Sequence, residues 1–210
     1  MAHVMNIKRL TLRDMIKESD LYSGLPDGLT QLPVPSAIRI NRKRYSVPET
    51  MDELAKKICY GQRLFLTRKE DNDFGWILRA MDGYFYPKIW DEDKALLFGK
   101  YILPLRVVDL YPVAMHLITL VSEMVEREQA LLHREPTKVE LAAGIESLNV
   151  YSELTNLDFL SDVMKCTIPE VLLQPYTECL VRFMKAKADS DYQEKYYKEM
   201  QLAQKQKAKK

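Results

Sequence analysis

His116 stands in the run Met115-His116-Leu117-Ile118, and a histidine that acts as general base or metal ligand needs a carboxylate or second ligand one helical turn away. Those positions are Pro112 and Leu120, and the nearest acids on the stripe, Asp109 and Glu123, are each seven residues off. The pattern predicts a satisfied core or interface histidine. Cys59, Cys166 and Cys179, with His3, His116 and His133, form neither a spaced metal-ligand set nor an even-numbered disulfide framework, so buried thiols in a reducing compartment are expected. Asp71-Asn72-Asp73-Phe74-Gly75 places glycine fifth where a calcium loop needs it sixth. Asp91-Glu92-Asp93 puts negative charge where a helix dipole favours it. Both are read as helix caps. The glycine-rich phosphate loops and the common hydrolase motifs are missing, and seven glycines leave few such loops to build. No catalytic residue, cofactor or metal site is predicted, and the chain is not expected to be an enzyme.

Two constellations point to binding. Arg39, Arg42, Lys43 and Arg44 gather four cations beside Tyr45, a phosphate-contacting tip if the segment projects and a solvated turn if it does not. Tyr192, Tyr196 and Met200 recur every four residues in a polar segment, an apolar stripe that asks for a partner groove. Around that stripe Glu194, Lys195, Lys198 and Glu199 interleave, which suits helix-supporting pairs better than a nucleic-acid tail.

These residues need elements to position them. Prolines 26, 33, 35 and 48 with Gly24 and Gly28 mark residues 1–50 as an arm, holding a short helix opened by Thr11 and Asp14 and a hairpin in which Ile38, Ile40, Tyr45 and Val47 alternate around Asn41-Arg42-Lys43. A lone hairpin is marginal, so it is expected to dock on the helices, on another subunit, or on both. Residues 51–188 read as a helical body. Thr50 and Glu53 cap a first helix ending before Gly61, Gly83 and Pro87 stop a second run, Asp91 caps a third, and a central helix begins near Pro112. Its strongly apolar stretch, Leu110 to Val121, is shorter than the roughly 18 residues a bilayer demands. Thr137 and Glu140 open a helix carrying Leu141, Ile145 and Leu148, Asn156 caps the next, and Thr167 with Glu170 caps another. Leu117, Leu120, Leu141, Ile145 and Phe183 are predicted core. Residues 189–210 read as a charged C-terminal helix projecting from the body. The fold class is mainly α, a compact multi-helix bundle with one short β-hairpin and an extended N-terminal arm.

Charge argues for local, not global, electrostatics. Thirty-one basic and 30 acidic residues leave +1, but the first 50 residues carry +3, residues 51–184 carry −6 and the last 26 carry +4. No signal-peptide run precedes Lys8 and Arg9.

The stretches Ile38-Arg-Ile-Asn-Arg-Lys-Arg-Tyr45-Ser-Val-Pro48 and Glu135-Pro-Thr-Lys-Val-Glu140-Leu-Ala-Ala-Gly144-Ile-Glu-Ser-Leu148, leading to Pro169-Glu-Val-Leu-Leu-Gln-Pro175-Tyr176, resemble those of small bacteriophage structural and tail-assembly proteins of chaperone or connector kind. The resemblance covers about a third of the chain. It implies a hairpin ahead of a helical body and a non-catalytic role in binding other virion or tail components. Expected partners are other phage structural or assembly proteins, with a homo-oligomer compatible and no membrane. The expected location is the host cytoplasm during assembly, or the virion. The alternative is a nucleic-acid-associated helical adaptor using the basic hairpin.

Overall fold

The computed structural model describes residues 10–17, 29, 31–68, 73–136, 138–145, 147 and 151–207. They are mainly α-helical with one two-stranded antiparallel sheet, as the sequence predicts. Two compact units form: one from the described residues up to Glu126 with Leu172–Tyr176, the other from Arg127–Val171 with the described residues from Thr177 onward.

In the first unit, α1 (Leu12–Lys17) opens on the expected reciprocal cap. The Thr11 N–H and hydroxyl donate to Asp14 Oδ2 at 3.1 and 2.6 Å, and the Asp14 N–H donates back to Thr11 Oγ1 at 3.3 Å. This part of the arm is stitched down by backbone. Leu12 N–H donates to the Leu105 carbonyl and Val107 N–H to that of Leu10, while Leu10, Leu12, Met15 and Leu29 are buried. The hairpin pairs β1 (Ala37–Ile40) with β2 (Lys43–Ser46) in the register Ile38↔Tyr45, Arg39↔Arg44, Ile40↔Lys43. Its turn holds Asn41 and Arg42 at φ 47° and 64°, the left-handed values of a two-residue hairpin turn. Period-two alternation sends Ile38 and Ile40 into the core, and the Tyr45 ring meets Phe85 edge-on at 5.8 Å. The hairpin therefore docks on its own helices.

The helices that follow are α2 (Met51–Lys57), α3 (Tyr60–Thr67), α4 (Asp73–Phe85), α5 (Glu92–Ile102) and α6 (Val107–Leu132, whose residues from Arg127 onward belong to the second unit). Thr50 Oγ1 accepts from the Glu53 N–H and Asp91 Oδ1 from the Lys94 N–H, so both predicted caps form. The two glycines expected to stop helices do not. Gly61 lies inside α3, where a Cβ would stand 2.5 Å from Trp90 Cδ1 and 2.9 Å from the Leu172 carbonyl oxygen. Gly83 lies inside α4, 2.7 Å in the same sense from Leu66 Cδ2. Each is there for close approach, and the costs of glycine within a helix are offset by the packing it admits. Nor does α6 wait for Pro112. It starts five residues earlier, with Arg106 accepting from the Leu110 N–H and pairing with Asp109, and Pro112 falls within its second turn. This helix is long and apolar enough by composition to cross a bilayer, yet more than half of its most apolar stretch is buried inside the protein. Val113, Ala114 and Leu117 are wholly buried, and Leu110, Phe65, Met81 and Ile102 complete the same core.

The second unit adds α7 (Lys138–Ala142), α8 (Ser152–Met164), α9 (Ile168–Leu172, whose last residue belongs to the first unit) and α10 (Tyr176–Lys207), most of which lies here. α7 overturns an expectation. It is five residues long, buries nothing, and gives way to a turn at Gly144 with φ +79°. With no continuous helix to align them, Leu141 is 46% exposed and Ile145 only half-buried; Thr137 and Leu148 lie outside the described residues. Phe183 is also half-buried, stacked on Phe159 at 5.5 Å. Asn156 sits within α8, which begins four residues before it, so it caps nothing. The Thr167–Glu170 cap forms, with both the Thr167 N–H and hydroxyl donating to Glu170 Oε2 at 2.8 Å. Lys187 Nζ donates to the Leu131 carbonyl at 3.1 Å, satisfying one of the open acceptors at the end of α6. α10 is continuous through Ala188.

Leu117→Ala should cost about 2 to 5 kcal/mol in urea unfolding, since the side chain is fully enclosed. Leu141→Ala should cost no more than about 0.5 kcal/mol.

Candidate functional site

Three features of the first unit stand out when the candidate residues are placed. The first is an open groove of about 310 Å³ between the hairpin tip and the α4–α5 region. Asn41, Lys43 and Tyr45 come to it from the hairpin, Tyr86, Pro87 and Lys88 from the loop after α4, and Lys94, Leu97, Phe98, Lys100 and Tyr101 from one face of α5. No acidic side chain lines it. Lys94 Nζ binds Asp91 Oδ2 at 2.5 Å, and Lys100 Nζ sits 4.9 Å from the Tyr101 ring centre. The aromatic rings form a chain, Tyr86 to Phe98 at 6.2 Å and Phe98 to Tyr101 at 5.6 Å, which fixes their edges around the groove.

Of the hairpin residues singled out in the sequence, Lys43 and Tyr45 reach this groove. Arg39 and Arg44 are exposed and directly opposite one another across the ladder, where like charges repel, and Arg42 is exposed at the turn. Lys88, Lys94, Lys100, Tyr86 and Tyr101 were not anticipated. The available signal was on α5, where Lys94, Phe98 and Tyr101 fall at i, i+4 and i+7, a mixed cationic and aromatic face.

The second feature is Asp82, a buried acid on α4 that lines a groove of about 420 Å³ with Leu78, Leu96, Leu97 and Leu103 and with two cations, Arg79 and Lys100. Its Oδ1 has no hydrogen-bond partner, and a Cβ on Gly99 of α5 would stand 3.0 Å from its Oδ2. Burial raises its pKa to about 8. Burial thus favours its protonated form at a close helix crossing, and nothing in the sequence marked it. Arg79, one turn earlier, donates to the Phe65 carbonyl at 3.1 Å and lies 4.7 Å from that ring's centre.

The third is His116, whose Nε2 lies 2.8 Å from the Pro48 carbonyl oxygen, so that the Nε2–H donates a hydrogen bond to it. This is the satisfied histidine the sequence predicts, tying α6 to the residues after the hairpin. Cys179 is buried, and burial raises the thiol pKa of Cys59. Among the described residues no group of three His, Cys, Asp or Glu is placed to hold a metal ion.

In the second unit, α10 carries Tyr192, Tyr196 and Met200, all exposed. Residues four apart advance about 40° around a helix, so the three span about 80° of its circumference and share one face. The Tyr192 and Tyr196 rings stack at 6.3 Å, and Tyr197 meets Tyr196 at 5.9 Å. The exposed part starts later than expected: Asp191 and Glu194 are half-buried, and Glu194 lies within electrostatic reach of Arg134 and Glu140. From Lys195 to Gln206 every side chain is exposed. The expected Glu194–Lys198 pair is present at 2.5 Å.

Asp82 makes stability depend on pH with a definite sign. A folded pKa of about 8 against an ordinary carboxyl value of 3.8 means its favourable contribution is complete below about pH 4 and is lost as pH rises through 8. Thermal unfolding from pH 5 to pH 9 should show the protein weakening, by about 4 kcal/mol across the range. Asp82→Asn should flatten that trend and be the more stable form at pH 9; parallel curves would exclude Asp82 as the source.

Compared with family models, curated proteins and solved structures, the chain matches none of them.

Proposed function

We propose that the protein is a non-catalytic component of an assembly that binds other proteins through its second unit and the exposed end of α10, the role implied by its resemblance to phage structural and tail-assembly proteins. The observation that carries this reading is the exposure of Tyr192, Tyr196, Tyr197, Met200 and Leu202 on a helix whose last described residues have no buried face. Helices shorter than about 12 to 15 residues are marginal without packing, and a polar solvated tail has no need of three tyrosines. Such a face is the usual form of a helix-in-groove ligand.

The rest of the second unit supports the same reading. Leu160, Val171 and Cys179 are its fully buried side chains among the described residues, whereas Val139, Tyr151, Leu154, Val163, Val181 and Met184 are exposed. That is a large apolar surface beside a small core, of the kind that marks an interaction site. The partners proposed are other structural or assembly proteins, met in the host cytoplasm and retained or released as assembly requires.

The cut that separates folding from binding lies after Glu194, because Glu194 still faces Arg134 and Glu140 while Lys195 to Gln206 are exposed. A chain ending there should keep its unfolding free energy within about 0.5 kcal/mol. Co-purification from the native host, followed by mass measurement of the intact complex, should recover a partner with the full chain and lose it with the shortened one. Equal recovery by both chains, or unfolding of the shortened one, would remove the basis for placing the interface here.

A further inference from the structure

We propose that the groove between the hairpin tip and α5 binds single-stranded nucleic acid, with phosphates on Lys43, Lys88 and Lys100 and a base against Tyr86 or Tyr101. This is independent of the protein-binding role of the second unit, since every residue involved belongs to the first.

Four ammonium groups line one groove that contains no carboxylate, and only Lys94 is neutralised, by Asp91. Among the described residues no carboxylate pairs with Lys43, Lys88 or Lys100, in a chain whose overall charge is nearly balanced. Concentrating four cations in one groove costs repulsion that a polyanion would relieve. Lysine suits this task when backbone phosphates are the target, because it acts as a point charge without a fixed bidentate geometry.

The aromatic residues narrow the class of anion. Acidic peptides and anionic lipid headgroups satisfy lysines but offer no planar group for Tyr86 and Tyr101. A nucleic-acid strand supplies both, and charged grooves with aromatic stacking platforms are how strands are held without sequence preference. Duplex ends are ill suited, since their bases are already stacked on one another. The groove is open, and Arg42, exposed at the turn, carries the cationic surface past it, whereas Arg39 and Arg44, one residue out of phase with Lys43 and Tyr45, lie on the hairpin's other face. A volume of about 310 Å³ is of the size that holds one small ligand group, here one nucleotide of a longer strand. Arg42 adds a detail, for it occupies a left-handed turn position at φ 64° where glycine is unstrained, and it places a guanidinium at the tip.

The test uses the full chain and a fluorescein-labelled twelve-nucleotide oligothymidylate, read by anisotropy at increasing salt. With about three phosphates neutralised, the logarithm of the binding constant should fall against that of salt concentration with a slope near −2. Lys88→Glu combined with Lys100→Glu changes two exposed side chains and should abolish binding while leaving the thermal midpoint in place. Tyr101→Leu should weaken it roughly fivefold to a hundredfold, the usual cost of losing one stacked base. Blunt duplex of equal length, polyglutamate, ATP and phosphatidylserine vesicles serve as competitors, and each should be markedly weaker than unlabelled oligothymidylate. Absence of salt-dependent binding, or undiminished binding by the double lysine variant, would overturn the proposal. So would competition by polyglutamate or vesicles as strong as that by the strand, which would make this a general anionic contact. ATP outcompeting the strand would overturn it in favour of a free-nucleotide site.

Discussion

The fold of the first unit hangs on a short backbone exchange between two segments far apart in the chain. Where α2 ends at Lys57 and α3 begins at Tyr60, two residues leave the helical ladder and their polar groups need partners. The Tyr60 N–H donates to the Gln174 carbonyl at 2.8 Å and the Tyr176 N–H to the Ile58 carbonyl at 3.1 Å, with Cys59 bridged to Pro175 between them. Gly61 makes the exchange sterically feasible by leaving room for Trp90 and for the Leu172 carbonyl. From this one contact follow the place where α10 starts, the seat of Trp90 against Phe65 at 5.2 Å, and through Tyr86 the aromatic border of the cationic groove. Any side chain at position 61 would press on all of them together.

What could be read in the sequence was chemistry that acts over three or four residues. The caps at Thr11, Thr50, Asp91 and Thr167 form as expected because donor and acceptor lie within one helical turn of each other. The hairpin and its inward face were legible because its side-chain period is two, although the turn takes only Asn41 and Arg42 and Lys43 already pairs with Ile40. Errors arose wherever distant packing determined the outcome. Gly61 and Gly83 look like stops when neighbours along the chain are considered alone, yet both make room for partners brought in from elsewhere in the fold. Leu141 and Ile145 have helical spacing, but the helix that would align them ends at Ala142. The same division applies to the groove. Lys43 and Tyr45 could be anticipated within one hairpin, whereas Lys88, Lys94 and Lys100 become neighbours of that hairpin only after α4 and α5 pack together.

Electrostatics here is a matter of where charges are placed, not of how many there are. Residues 51–184 are acidic in sum, and still three of their lysines converge on a groove without a carboxylate. Much of the acid is spent at helix starts, as at Asp91, whose hydrogen bonds from Lys94 hold its carboxyl below the usual range. Arg68 pairs with Glu92 and Arg106 with Asp109, so these surface charges are occupied locally. Asp82 is the exception, a carboxyl removed from water and outside any ion pair among the described residues, and burial pushes its pKa up to about 8.

The C-terminal helix has neither glycine nor proline from Tyr176 to Lys207, and at 1.5 Å per residue it is about 48 Å long. An unbroken helix of that kind fixes azimuth as well as distance. Its early turns are held by Lys187 on the Leu131 carbonyl, so the direction in which Tyr192 and Tyr196 point is set by the count of residues between. One residue inserted or deleted there would swing the tyrosine face by about 100° while shifting it by only about 1.5 Å. Composition, charge and helical propensity would hardly change, yet the aromatic face would be out of phase with whatever had been aligned to meet it.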